Sequence, residues 1–297
     1  MIDRRGFAIG AGALALSTAV HAAPAPVWTK TGTIRRAGGV MHYATLGEAN
    51  GQPPLVLLHK LGGWMGDWRQ VAPALAERRQ VIAFDLPGHG GSKWPEPVPY
   101  IQTQGESAAA VIGALDELGI DLADIAGTSL GGCLGVVLAA AFPDRVRRLA
   151  VISSALRERR SLAEIRANID AKQTNLYDRR GLPFPVRAEQ LTGTFGIVHA
   201  DELTIAGNLS RKAAGRWIQP SERGVGSYDY TTALRRVQAP TLLVYGQFDK
   251  AYLRFRAGAE AALRSSRTEI IPNSGAFVIE DNAAVTAPVL KRFFDAA

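Results

Sequence analysis

One stretch of the chain, Pro54-Leu55-Val56-Leu57-Leu58, is apolar without alternation. Gln80 to Asp85 encloses a second such run, and Pro240 to Tyr245, with one threonine, reads as a further strand. Unbroken apolar runs of this length predict strands buried on both faces, as in a parallel sheet. Helical spacing lies between them. Trp64, Trp68, Val71 and Leu75 share one face, and helices are predicted for Thr103 to Leu118 and Leu130 to Phe142. Arg148 to Ser153 reads as a further strand. Thr31 to Ile34 and Met41 to Thr45 flank Arg35-Arg36-Ala37-Gly38-Gly39 as an opening hairpin.

The alternation stops after Leu156. From about Arg157 to Tyr230 the pattern is charged, mostly helical and broken by Gly181-Leu182-Pro183-Phe184-Pro185. It resumes with helix Thr231 to Val237, the strand ending at Tyr245, helix Leu253 to Leu263, strand Glu269 to Ile271 and helix Ala284 to Phe294. The predicted architecture is α/β, a doubly wound, mostly parallel sheet built from residues 23–156 and 231–297, with 157–230 inserted as a helical cap.

Composition adjusts this picture in two places. With 297 residues and 47% hydrophobic content, the chain can bury one substantial core. The first 22 residues read as a leader: Asp3-Arg4-Arg5-Gly6-Phe7, an uncharged run from Ala8 to Val20 and the small-residue site Val20-His21-Ala22 predict twin-arginine export to the periplasm or beyond. That run is too short for a stable membrane span, so no membrane insertion is expected after its removal. A fold that needs no disulfide agrees with export in the folded state, and Cys133, the single cysteine, has no internal partner. The net charge of +7 drops by one when the leader's two arginines and one aspartate are lost. No basic run interleaved with aromatics predicts nucleic-acid binding, and no metal-ligand or cofactor spacing is present.

The candidate chemistry lies at Gly127-Thr128-Ser129-Leu130-Gly131, where a short apolar run ends in Gly-x-Ser-x-Gly and passes into a small-residue helix. A sharp strand-to-helix turn forces an uncommon backbone at Ser129, which is possible only if both glycines leave room. It aims the hydroxyl out of the sheet and puts the Leu130 N–H where it can stabilise an oxyanion.

Taken with its surroundings, the chain resembles the α/β-hydrolase family over nearly all of 23–297 apart from the cap. His59 with Gly62 and Gly63 resembles the oxyanion loop, and Asp85-Leu86-Pro87-Gly88-His89-Gly90 the loop after the next strand. Gly246-Gln247-Phe248-Asp249 resembles the acid-bearing loop, and Pro272-Asn273-Ser274-Gly275-Ala276-Phe277 the loop that carries the catalytic histidine. The resemblance implies a serine hydrolase acting on a small carboxylic ester or lactone with an apolar part. Ser129 would be the nucleophile, Asp249 the acid, and the N–H groups of Leu61 and Leu130 the oxyanion donors.

The pattern fails at Ala276, where a methyl group stands in for the imidazole that would take and return the serine proton. Three readings remain open: a deliberate histidine-to-alanine variant, a protein that binds ligand without turnover, or a site served by another base. His199, in the cap, is the only histidine placed to substitute. His59 and His89 are expected to brace backbone, and Asp249 also reads as a helix cap. Lys60, where similar enzymes carry glycine, is expected to point to solvent; turned inward it would stabilise the oxyanion, hold a substrate carboxylate or, if desolvated enough, act as base toward Ser129. Trp64, Trp68, Phe248 and Phe277 are candidates for core or pocket lining.

Overall fold

The computed structural model describes residues 27–168 and 170–296; the leader read over residues 1–22 lies outside the described residues. Eight strands form one sheet: β1 (Lys30–Arg36), β2 (Gly39–Leu46), β3 (Leu55–Leu58), β4 (Val81–Asp85), β5 (Ala123–Thr128), β6 (Val146–Ile152), β7 (Thr241–Gly246) and β8 (Ser266–Ile271). Their order is β1-β2-β4-β3-β5-β6-β7-β8. The β1–β2 hairpin and the β2–β4 pair are antiparallel, and every other pairing is parallel. Every residue of β3, β4, β5 and β7 is buried, which is why β3, β4 and β7 read as apolar runs rather than alternations.

The helices are α1 (Ala72–Leu75), α2 (Gln104–Glu117), α3 (Leu130–Ala141), α4 (Leu162–Asn168), α5 (Gln173–Leu176), α6 (Ala188–Phe195), α7 (Ala200–Ala214), α8 (Ile218–Gly226), α9 (Tyr230–Leu234), α10 (Arg256–Ala262), α11 (Val278–Asp281) and α12 (Ala283–Asp295). The sheet is wound on both sides. Val56, Leu58, Ile125 and Leu243 face α2, α3, α9 and α10, while Leu55, Leu57, Ala126 and Leu242 face α1, α11 and α12. Helix α2 opens with a capping box in which the Thr103 side chain takes the Glu106 N–H and Glu106 takes the Thr103 N–H.

Two predicted helices are shorter than their spacing suggested. The face carrying Trp64 to Leu75 is a 3₁₀ turn, Met65–Trp68, followed by the single turn of α1, because Gly62, Gly63, Gly66 and Pro73 leave no uninterrupted helical stretch. The helix predicted from Leu253 starts as a 3₁₀ turn and becomes α-helical only at Arg256. Strand β8 is longer than predicted because it is an edge, largely exposed, with Ile271 as its one buried residue.

Helices α4 to α8 all lie between β6 and β7. They join the sheet through a small apolar cluster in which Leu191, Ile197, Ala200 and Leu203 pack on Ala276 and Phe277. Asp281 ties the two together, accepting from the N–H groups of Val198, His199 and Gly275. Among the described residues no helix is long and apolar enough to cross a membrane, and no group of side chains has the makings of a metal site.

Candidate active site

Strand β5 ends at Thr128 and α3 begins at Leu130, so Ser129 alone makes the turn, at φ 51° and ψ −108°. A β-carbon on Gly127 would strike the Gly131 carbonyl, and one on Gly131 would strike the Leu58 carbonyl, which explains both glycines of the motif. The strained serine is only 8% exposed and lines a cavity of about 230 Å³. Leu61 and Leu130 line the same cavity, and neither backbone N–H is engaged by another backbone group among the described residues. Both are therefore available to an oxyanion.

The loop after β3 is held by its own histidine. His59 donates from Nδ1 to the Lys60 carbonyl at 2.7 Å and accepts the Leu86 N–H on Nε2 at 2.9 Å, locking one tautomer. Burial lowers its pKa to about 4, and that of His89, whose ring centre is 5.2 Å away, to about 3. Both are neutral braces, as expected. His42 bonds Asp85 at 2.9 Å.

The hydroxyl of Ser129 has a partner that the sequence reading missed: the Tyr252 hydroxyl, 3.2 Å from Oγ. Burial pushes this phenol up to about 12. Asp249 puts it there. Its Oδ1 accepts the N–H groups of Ala251 (3.0 Å) and Tyr252 (2.8 Å), a tight turn that swings the ring back toward the elbow. The capping role considered for Asp249 is not seen: the 3₁₀ turn from Leu253 has Tyr252 at its N-cap and no side-chain cap, and Asp249 only closes the local turn ahead of it, while its Oδ2 makes no well-formed hydrogen bond. Burial raises this carboxyl above the usual range, against the Tyr252 N–H and the Ser153 hydroxyl. The Asp-x-x-Tyr spacing at 249–252 is the one signal from which the tyrosine was readable.

Position 276 is not vacant. Ala276 is fully buried, its N–H donates to the Phe195 carbonyl at 3.0 Å, and Gly275 abuts the backbone of Gly196 and Ile197. Phe195 stacks on Tyr252 with ring centres 6.2 Å apart. The segment after α6 and the tyrosine together occupy the side of the site where an imidazole was looked for.

Lys60 corrects the expectation that it faces solvent. It is 9% exposed, with Nζ 2.5 Å from Glu280 and 3.0 Å from Asp67. Burial alone would lower its pKa, but the two carboxylates outweigh it and hold the lysine charged. So held, it is no base for Ser129. Glu280 also lines the cavity, and burial, with Asp67 adding repulsion, pushes it up to about 7 despite Lys60. A carboxyl raised from 4.5 stabilises the fold fully below that value and loses the contribution as pH rises through 7. Between about pH 5 and pH 8, therefore, the intact protein's denaturation midpoint should fall relative to that of Glu280→Gln; parallel profiles would contradict this assignment.

Five further residues considered at the sequence level divide unevenly. Phe277 lines the cavity, under the Lys60 ammonium at 5.4 Å. Trp68 does not; it is fully buried beneath the sheet in the cluster with α1 and α12. Trp64 and Phe248 are not on the cavity wall, and Phe248 is 44% exposed. His199 is no substitute base, because its Nδ1 is taken by the Asp281 carbonyl at 2.8 Å and the ring lies 55% exposed on the outside.

Residues 53–283 match the sequence profile of the alpha/beta hydrolase fold. The chain is 30% identical over 233 residues to 3-oxoadipate enol-lactonase 2 of Acinetobacter baylyi, an alignment covering 75% of this chain and 81% of that one. It is 41% identical over 106 residues to the 2-hydroxymuconate semialdehyde hydrolase of a Pseudomonas species, covering 34% of this chain and 36% of the relative. Other local matches likewise span only about a third to two fifths of the relatives' length. Among solved structures, the enol-lactonase from Burkholderia xenovorans LB400 superimposes with a TM-score of 0.76 at 22% identity, over 89% of this chain and all of that one, a likeness of fold. With the elbow, the strand order and the matched segment in agreement, the chain belongs to the α/β-hydrolase family.

Proposed function

We propose that this protein hydrolyses carboxylic esters or lactones, with Ser129 as nucleophile and Tyr252 in the place of the customary histidine. The observation that carries the reading is the Ser129 hydroxyl, presented on a strained turn into the cavity, 3.2 Å from the tyrosine hydroxyl and flanked by the unengaged N–H groups of Leu61 and Leu130. In this mechanism Tyr252 acts from its minor phenolate form: Oγ attacks the substrate carbonyl as its proton passes to the phenolate oxygen, giving the neutral phenol. The two N–H groups hold the oxyanion, and the tyrosine returns the proton to the leaving oxygen. Water then repeats the sequence on the acyl-serine. The relatives named as a lactonase and as a hydrolase favour this reaction class. Val186, Leu191, Leu203 and Val225 on the cavity wall suit a small substrate with an apolar part.

Ser129→Ala should abolish hydrolysis of a short acyl ester and labelling by a serine-directed phosphonate, and hydrolysis surviving in that variant would end the proposal. The buried methyl at 276 and the phenolic partner favour a second reading, a binder without turnover. It predicts that the unaltered chain binds an ester yet leaves it intact at every pH. The leader motif adds a proposal of its own, export with cleavage near Ala23. N-terminal sequencing of protein recovered outside the cytoplasm tests it, and an uncleaved cytoplasmic chain would refute it.

A further inference from the structure

The cavity carries a cation that no carboxylate of the described residues balances. Arg157, just beyond β6, lines the wall that also bears Ser129 and Tyr252. Its Nε is buried without a hydrogen-bond partner, and its guanidinium forms no ion pair among the described residues. Its aromatic contact is the Phe255 ring at 5.5 Å. Burial and the charges of Arg160 and Arg254 push it toward losing a proton. The two neighbours that would favour its charge if ionised, Cys133 and Tyr252, are themselves pushed up by burial to about 11 and 12, so at neutral pH both are uncharged.

The other charged groups on the wall are differently disposed. Arg160 lies beside Arg157 and adds to the positive field. Arg211 comes from α7, where its side chain lies close to Gly62 and its Nε, like that of Arg157, is buried without a hydrogen-bond partner. Glu280 is bound to Lys60, and Glu222 acts on Tyr177 rather than ranking among the chief charges at Arg157. A half-buried cation without a counter-charge is costly unless an anion completes it, and a planar guanidinium matches a carboxylate in two-point geometry.

We infer that Arg157, supported by Arg160, is a carboxylate-binding subsite, so that the substrate is a half-ester or lactone bearing a free carboxylate across an apolar spacer from the carbonyl that Ser129 attacks. The inference rests on the hydrolase reading for its chemistry, but the anion site stands independently of turnover.

The test compares kcat/KM for p-nitrophenyl hydrogen glutarate with that for the neutral p-nitrophenyl pentanoate. The intact protein should prefer the anionic ester about tenfold or more, the preference should collapse in Arg157→Met, and Arg157→Lys should restore part of it. A preference for the neutral ester, or an anionic preference unchanged in Arg157→Met, overturns the subsite. The first of these needs no variant to fold. Glutarate is then titrated against Ser129→Ala, with the melting temperature as readout. An upward shift that is lost in Ser129→Ala/Arg157→Met supports the subsite even where neither ester is turned over, in which case only the hydrolase reading fails. The absence of any shift, together with the absence of anionic preference, removes the subsite, and the hydrolase reading falls with it only if neither ester is turned over.

Discussion

If Tyr252 is the base, as proposed, ester hydrolysis should climb about tenfold per pH unit from pH 7 to pH 10, after subtraction of the hydroxide-driven blank, because that base is a phenol. Burial holds Tyr252 near 12, so at pH 7 only about one molecule in 10⁵ carries the phenolate that accepts the serine proton, and each unit of pH multiplies that fraction by ten. A histidine-driven serine hydrolase levels off once its imidazole is neutral, near its ordinary value of about 6.5. Tyr252→Phe keeps the ring that stacks on Phe195 and removes only the hydroxyl. It should cost about 10²- to 10⁴-fold at pH 9 and flatten the profile. The measurement is kcat/KM against pH for both proteins. A plateau near pH 7, or identical profiles for the two, would take Tyr252 out of the chemistry and leave Ser129 without a base.

Restoring the expected histidine should by itself do harm. Ala276 is fully buried against Leu191, Ile197 and Phe277, and Gly275 beside it is pressed against the Gly196–Ile197 backbone. An imidazole there overfills a packed site, which typically costs about 1–3 kcal/mol, and finds the way to Ser129 already taken by Tyr252. Ala276→His should therefore melt lower than the unaltered chain and gain little activity. Combined with Tyr252→Ala, the same substitution opens the space between Ser129 and the unpartnered Oδ2 of Asp249. The double variant should gain about 10²-fold or more at pH 7.5, part of the roughly 10⁶ that loss of a triad member costs. Denaturation midpoints and initial rates on one ester check both. Full recovery in the single variant, with unchanged stability, would show that the alanine stands where a histidine belongs and that the tyrosine is a bystander.

How far the site was legible follows from the range over which each residue acts. Gly127, Ser129 and Gly131 lie within one turn, and their spacing encodes the bend because only glycine tolerates the close approach of the Leu58 and Gly131 carbonyls. His59 was readable as a brace for the same reason, since its Nδ1 partner is the next residue. Lys60 was misjudged because what decides its direction lies elsewhere. Glu280 is 220 positions along the chain, and the side chain turns inward only once two carboxylates have been brought together to receive it. Trp68 was equally ambiguous, since a large apolar residue in a loop after a strand carries the same pattern whether it faces a pocket or the core.

The chain by itself determined its strands, its order of motifs and the bend at Ser129, because burial on both faces and steric permission for one turn are written in runs and spacings a few residues long. Only the tertiary structure decided what stands beside that serine. Tyr252 is 123 positions away and Phe195 and Ala276 come from two other segments, so their meeting depends on how α6 and α11 pack over the sheet. A hydrogen bond between distant side chains leaves no period in sequence, since it requires only that two backbones converge, and convergence is a property of the fold.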